Sequence, residues 1–582
     1  MSETFSASAP LIPAPTPFTR SYAQGATDTP LIEQTIGVFF DAMAFCQPTQ
    51  EALVSSHQRR RYTYLELQRE ANRLASALLG LGLQPGERVG IWSHNNAEWV
   101  LMQIATAKAG LILVNINPAY RTAEVEYALN KVDCKALVTM ARFKTSDYLG
   151  MLRELAPEWE HGQPGQLESV KLPHLRSVIW IDEAGQGDDQ PGFTRFTDLL
   201  ASGNPDDARL AELAATLQAT DPINIQFTSG TTGFPKGATL THRNILNNGF
   251  FIGEAMQLTP ADRLCIPVPL YHCFGMVLGN LACLTHGAAI VYPNDGFDAL
   301  SVLQTVQDEQ CTGLHGVPTM FIAELDHPRF AEFDLSTLRT GIMAGSPCPT
   351  EVMKRVVADM HLSQITIAYG MTETSPVSCQ SSVNTPLAKR VSTVGLVQPH
   401  LEIKIINPDS GEMVATGVSG ELCTRGYSVM HGYWDDPART AEAIDANGWM
   451  HTGDLATMDS EGYVNIVGRI KDMVIRGGEN IYPREIEEFL YRHPKVQDVQ
   501  VVGLPDQRYG EELCAWIVTR PGETLDEDEV RAFCKDQIAH YKVPRYIRFV
   551  PGFPMTVTGK IQKFKIRDEM KHQLGLQEDK TA

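Results

Sequence analysis

The 11 cysteines include no C-x-x-C pair and lie scattered along the chain. That removes metal-ligand spacing and any disulfide framework, and points to a reducing compartment. No uninterrupted apolar run reaches the length of a membrane span. The candidate at 276–292 is broken by Asn280, Thr285 and His286. A basic excess is also missing: 49 Lys and Arg stand against 69 Asp and Glu, a formal net charge of −20. This argues against a general nucleic-acid binder while leaving room for a local basic pocket. Residues 1–26 lack the apolar core of a secretory signal and carry one arginine, Arg20, so they read as a loose leader. A cytoplasmic location is expected. Peripheral membrane association and the oligomeric state, a homodimer included, stay open.

What remains is an ordinary globular composition, 43% hydrophobic and 20% charged over 582 residues, enough for about four domain-sized units or fewer large ones. Residues 228–237 are the densest stretch of small, hydroxyl and glycine residues: Thr-Ser-Gly-Thr-Thr-Gly-Phe-Pro-Lys-Gly. They follow 223–227, whose apolar/polar alternation suits a strand with one buried face. A glycine-rich turn after a strand lets backbone N–H groups converge on an anion. The hydroxyls of Thr228, Ser229, Thr231 and Thr232 and the charge of Lys236 would add to that cradle around Gly230 and Gly233, and a polyphosphate is the natural guest. A Walker A loop is excluded, because Pro235 stands where glycine must precede the lysine. On its own the stretch also suits a flexible polar turn.

Around this loop, strand and helix patterns alternate: strand-like 88–93, 111–117 and 135–140, helical 98–109 and 123–132. Thr63-Tyr64-Leu65-Glu66 is a capping-box pattern opening a helix with Leu67, Ala71, Leu74, Ala75 and Leu78 on one face. Residues 183–192 read as a surface loop. A second alternating run has strands at 264–267, 288–292, 339–344 and 364–368. Together these predict an α/β fold with two largely parallel sheets. From about Val394 short strands such as 402–406 and 420–425 suggest a small β-rich subdomain. A final α+β unit contains helices at 484–491 and 526–540 and strands at 498–503, 513–519 and 546–550. The expected division is 1–26 leader, 27–470 large N-terminal domain and 471–582 small mobile C-terminal domain.

Several further stretches carry usable chemistry, each with a plainer reading beside it. Tyr369-Gly370-Met371-Thr372-Glu373-Thr374 follows a strand and sits where α/β sheets bind ligands, with Glu373 able to hold Mg²⁺; it also suits a turn with a solvated glutamate. Gly345-Ser346-Pro347 could admit a flat ring or form a plain turn. Asp454 and Arg469 could serve a ribose diol or make a surface ion pair. Lys560, after Gly559, could be catalytic or a solvated charge. His272 has no evident carboxylate or serine partner nearby and reads as a satisfied, partly buried histidine.

In this order, the stretches resemble the adenylate-forming superfamily of acyl-CoA synthetases, luciferases and peptide-synthetase adenylation domains. Residues 476–483 and 558–564 are most similar to fatty acyl-CoA synthetases of the medium-chain, family-member-2 type. The resemblance implies that ATP and a carboxylate give acyl-AMP and pyrophosphate, and that coenzyme A then displaces AMP. By motif position it implies Thr228 to Lys236 over the phosphates and Gly345, Ser346, Pro347 and Tyr369 at the adenine, with Gly370 and Met371 beside it. Thr372 falls at the α-phosphate, Glu373 on Mg²⁺, and Asp454 with Arg469 at the ribose. Lys560 would bridge the reacting anions, Lys471 act as hinge, and Gly477, Gly478 and Glu479 meet coenzyme A. Tyr271, His272, Phe274 and Gly275 are the expected acyl-pocket residues. Alternatives are an aryl-CoA or aryl-propenoate ligase and, in another class, a non-catalytic acyl- or nucleotide-binding protein.

Overall fold

A computed structural model describes residues 18–143, 145–182, 190–228, 235–346, 348–477, 479–535, 537–556 and 559–576. The expectations for Ser229, Gly230, Thr231, Thr232, Gly233, Pro347 and Gly478, and for 183–189 of the surface loop, lie outside the described residues.

The capping box forms: Thr63 and Glu66 bond each other's backbone N–H and open the helix Tyr64–Gly80. Leu67, Leu74 and Leu78 on its inner face are fully buried, each stabilising the fold by about 1.5–3 kcal/mol. The next helix, Ala97–Ala109, is buried at every position. Its Gln103 is satisfied inside: Nε2 donates to Met276 O at 3.0 Å and Oε1 accepts from Asn280 Nδ2 at 2.9 Å. One hydrophobic core spans this helix and residues of both large sheets.

The first of those sheets has eight strands, with Arg88–Trp92, Ile112–Asn115 and Pro222–Thr228 side by side and parallel. Lys236–Thr241 and Gly432–Tyr433 extend it antiparallel. The second has nine strands, parallel through Gln364–Gly370, Thr340–Ala344, Gly313–Gly316, Arg263–Cys265, Ala289–Tyr292 and Glu51–Ser55. A five-stranded antiparallel sheet of Tyr22–Gln24, Leu401–Ile406, Gly420–Gly426, Met450–Met458 and Val464–Arg469 follows. The short helical turn Ile470–Asp472 leads from it to a separate five-stranded sheet with its own two apolar clusters.

Three expectations need correction. The leader is expected to be loose through Ala26, but Tyr22–Gln24 pairs antiparallel with Leu401–Ile406, buries Ala23, and sends the Tyr22 hydroxyl to Glu402 at 2.6 Å. The helix expected over 526–540 ends at Cys534, because Lys535 turns to extended backbone (φ −60°, ψ 131°). Finally, Pro222–Thr228 does not have one wet face. Asn224 and Gln226 are buried in an amide ladder: Gln226 Nε2 donates to Asn224 Oδ1 (2.9 Å), Asn224 Nδ2 to Asn115 Oδ1 (2.9 Å), and Asn115 Nδ2 to Tyr271 O (3.0 Å). The polar face of this strand is therefore paired with other protein groups, since buried amides left unpaired cost about 1–3 kcal/mol each.

Candidate active site

The C-terminal ends of Pro222–Thr228 and Gln364–Gly370 supply the two halves of a carboxylate-centred cluster. Glu373 lies in the helical turn Thr372–Thr374 directly after the second strand and is buried. Its Oε1 accepts from Thr228 Oγ1 at 3.2 Å and from Tyr433 Oη at 2.9 Å. The same Tyr433 hydroxyl accepts from Lys236 Nζ at 2.9 Å. Burial, then the charge of Glu373, pushes the Tyr433 phenol well above its ordinary pKa, so it stays a neutral donor. Lys236 is thus tied into the wall of the site. Backbone packing fixes the turn: a Cβ on Gly370 would fall 1.6 Å from the carbonyl oxygen of Pro376, so only glycine fits.

A second cluster joins the β-rich sheet to the first. Tyr369 Oη donates to Asp454 Oδ2 at 2.6 Å, and Arg469 Nε pairs with Asp454 Oδ1 at 2.9 Å. Asp454 and Arg469 are register partners on Met450–Met458 and Val464–Arg469, which is why residues fifteen apart meet. Gly345 and Ser346 follow the neighbouring strand Thr340–Ala344.

Lys560 enters from the terminal unit. It ends a tight turn closed by Gly559 N to Thr556 O at 3.0 Å and Thr556 N to Lys560 O at 2.7 Å. The turn presses on the large domain: with φ +77°, Gly559 would place a Cβ 2.9 Å from Val317 Cγ2 and 3.2 Å from Thr319 Oγ1. Burial lowers the Lys560 pKa, Arg469 lowers it further, and Asp454 and Glu373 oppose both. Lys560 nevertheless counts as exposed, and the Arg469 side chain is 63% accessible. Both charges are therefore reached by water, which screens them. His272 is held neutral by the same surroundings, with burial and then the Lys560 charge pushing its pKa down to about 3.

The remaining expected residues lie apart in kind. Tyr271 is buried, with its ring 4.8 Å from that of His272. Phe274 and Gly275 open a π-helical stretch, Phe274–Leu281, a form common at functional sites. Phe274 meets the ring of buried His315 at 5.4 Å. Lys471 is exposed in the turn Ile470–Asp472 between the two units. Gly477 and Glu479 sit at an exposed hairpin between Val474–Arg476 and Glu479–Ile481. Its bonds stay within the terminal unit: Gly477 N to Tyr509 O at 2.7 Å and Arg476 to Glu512 at 2.7 and 2.8 Å.

Sequence reasoning missed Tyr433 and the amide ladder. Gly432-Tyr433-Trp434 was a weak cue. Its relevance depends on Ala238–Tyr433 pairing across nearly two hundred residues.

Comparison with known proteins identifies the family. The AMP-binding enzyme model matches residues 40–434, and the AMP-binding enzyme C-terminal domain model matches 485–560. The medium-chain acyl-CoA ligase ACSF2, mitochondrial, of Rattus norvegicus is 46% identical over 96% of this chain and 91% of its own. Among solved structures, the anthranilate CoA ligase AuaEII in complex with anthranoyl-AMP superposes with a TM-score of 0.83 at 26% identity, covering 94% of this chain and 99% of that one. The Mycobacterium tuberculosis fatty acyl CoA synthetase gives 0.69 at 26% identity, covering 93% and 99%. The chain belongs to the AMP-binding enzyme family.

Proposed function

We propose that this chain is an ATP-dependent fatty acid–CoA ligase acting on medium- to long-chain acids. In the first step a carboxylate oxygen attacks the α-phosphorus of ATP and pyrophosphate leaves. In the second the sulfur of coenzyme A attacks the acyl carbon, the C–O bond to AMP breaks, and the thiol proton is released. A free carboxylate has no good leaving group, and adenylation provides one.

The observation that carries the reading is that Lys560, from another folding unit, is seated through Gly559 against Val317 and Thr319 of the large domain, where the charges of Arg469, Asp454 and Glu373 act on it. Two anions must meet for adenylation, and an ammonium between them offsets their repulsion. One such charge pair at ~4 Å and effective dielectric ~20 is worth about 4 kcal/mol. Thr228 and Lys236, with Ser229, Gly230, Thr231, Thr232 and Gly233, would serve the β- and γ-phosphates. Gly345, Ser346, Pro347, Tyr369, Gly370 and Met371 would serve the adenine, Thr372 the α-phosphate, and Asp454 with Arg469 the ribose. Oxygen donors suit Mg²⁺, and the Glu373 carboxylate beside the Thr228 hydroxyl fits it. The ion would offset phosphate charge when bound.

Lys471 is the hinge of this scheme, allowing the terminal unit to present Lys560 first and the face carrying Gly477, Gly478 and Glu479 to coenzyme A afterwards. Tyr271, His272, Phe274 and Gly275 line the acyl site, where a neutral His272 adds no charge beside the substrate. Likeness to a medium-chain ligase supports the acyl class. A cytoplasmic location is part of the same reading, and cell fractionation tests it separately.

The direct experiment measures AMP release with ATP, Mg²⁺, coenzyme A and octanoate, palmitate, benzoate or coumarate. Release fastest with octanoate or palmitate is expected. Faster release with benzoate or coumarate replaces the acyl class, and no release with any acid removes the ligase reading.

A further inference from the structure

Away from the Lys560 cleft, the antiparallel sheet carries a cluster that the ligase scheme does not use. Glu421 and Cys423 are two apart on Gly420–Gly426, and Cys423 is register partner of His451 on Met450–Met458. All three side chains gather on one side. Glu421 Oε2 is 2.9 Å from His451 Nδ1, Cys423 Sγ is 3.6 Å from that nitrogen, and the three ligand atoms lie within 4.8 Å of one another.

We propose that Glu421, Cys423 and His451 form a site for a borderline divalent transition-metal ion of the Zn²⁺ class. The donor set is one carboxylate oxygen, one thiolate and one imidazole, which Zn²⁺ accepts in tetrahedral geometry. Zn–N of about 2.0–2.1 Å and Zn–S of about 2.3 Å give a tetrahedral N to S edge of about 3.6 Å. The Cys423–His451 pair already has that spacing. The 2.9 Å Glu421–His451 contact is a hydrogen bond that must open by a few tenths of an ångström. His451 retains access to solvent, with 32% of its side chain exposed, so an ion has an entry path and a place for a fourth, water ligand.

The surroundings match what a metal-bound histidine needs. Asp445 Oδ2 lies 3.9 Å from His451 Nε2, on the far side of the ring. In the metal-free site His451 Nδ1 donates to Glu421; once an ion takes Nδ1, the ring proton stands on Nε2, facing the Asp445 carboxylate that can then orient the ring. The other Glu421 oxygen accepts from Gly453 N at 3.1 Å, holding the carboxylate in place. Burial raises the Cys423 thiol pKa, as do Glu421 and Asp445, while Lys404 lowers it. A divalent ion reverses that balance by stabilising the thiolate. Binding shifts the imidazole proton from Nδ1 to Nε2 and expels the thiol proton, so one proton leaves per ion. The site also touches the ligase cleft through one residue: Gly453, which bonds Glu421, precedes Asp454.

The test titrates metal-stripped full-length protein with Co²⁺ in the absence of nucleotide. The expected result is a thiolate-to-cobalt charge-transfer band that saturates at one ion per chain and disappears on adding Zn²⁺, with one proton released into weak buffer. Cys423→Ser should abolish the band, and because Cys423 is buried beside Ile406 and Trp449, the partly exposed His451→Gln serves as second ligand variant and should abolish it without lowering the melting temperature of the metal-free protein. Asp445→Asn should weaken Co²⁺ binding about 10–100-fold, as for loss of a carboxylate behind a ligand histidine. No band in the parent protein, or a band that survives both ligand substitutions, overturns the site.

Discussion

Glu373 and Lys560 carry opposite charges into one cleft, and the chain holds them in opposite ways. Glu373 is buried in the large domain, where Thr228 and Tyr433 both bond one of its oxygens and Lys236 braces Tyr433. Lys560 stands at the end of a tight turn on a unit with its own apolar clusters, pressed against Val317 and Thr319 through Gly559. A preorganised wall lowers the cost of ordering charge around phosphate at the moment of reaction. A charge on a separate unit can be withdrawn afterwards. The comparison implies that changes in the wall impair binding and adenylation together, whereas changes on the arm separate the two half-reactions.

Removing the arm's charge has the largest expected effect. Lys560→Ala should reduce adenylation roughly 10²–10³-fold, the scale of losing one preorganised donor at a developing charge. Thioester formation from preformed acyl-AMP should fall much less, and near-normal pyrophosphate release would break the comparison. The pH profile supplies a second readout. Because burial and Arg469 lower the Lys560 pKa, the protonated form is lost as pH rises through a value below that of an ordinary lysine. The alkaline limb of kcat/KM, which reports the free enzyme, should therefore fall early and move up in Lys560→Arg.

In the wall, Tyr433→Phe removes the donor to Glu373 and the acceptor for Lys236. Hydrogen bonds to charged groups contribute about 1.5–3 kcal/mol, so adenylation should fall about 10–100-fold, with a higher Mg²⁺ requirement. Adenylation at the parent rate and Mg²⁺ dependence would show that Glu373 is held without Tyr433.

At the junction, Lys471→Pro restricts the turn Ile470–Asp472 between the units. Thioester formation should decline more than adenylation, since in the proposed scheme only the second step requires the terminal unit to leave its present seat. Stopped-flow measurement of the separate half-reactions distinguishes this from equal loss of both, which would remove the hinge.

Much of this arrangement is legible in the sequence alone. The Thr63–Glu66 capping box, the alternating strands and helices and the motif residues at strand ends are local patterns, and local patterns survive folding when tertiary contacts agree with them. Where contacts dominate, the reading failed. Asn224 and Gln226 looked solvent-facing by alternation, but Asn115 and the chain at Tyr271 supply partners from elsewhere. Tyr433 acquires its place only when Gly432–Tyr433 pairs with Lys236–Thr241. Tyr22–Gln24 is polar, short and next to a Pro-rich run, yet the edge of Leu401–Ile406 recruits it.

The smallest effect concerns the stability of the arm itself. Asp498 is buried in the terminal sheet, where burial raises its carboxyl from 3.8 to about 6 despite bonds from the Tyr491 hydroxyl and Val499 N–H; Glu487 raises it further, and Gln500 opposes. Below about pH 4 the group is protonated in folded and unfolded chains alike, so it costs nothing. Between about pH 4 and 6 the unfolded chain ionises while the folded one resists a buried charge, so stability falls, by about 1–3 kcal/mol in all given about 1.4 kcal/mol per tenfold, and is level above that range. Asp498→Asn keeps an acceptor for Tyr491 and removes the charge. It should therefore raise the melting transition of the terminal unit at pH 7.5 and leave it unchanged below pH 4. The large domain has a separate core and should melt as before. A shift that persists at low pH would assign the effect to packing, and a shift in both transitions would mean that arm and wall unfold as one body.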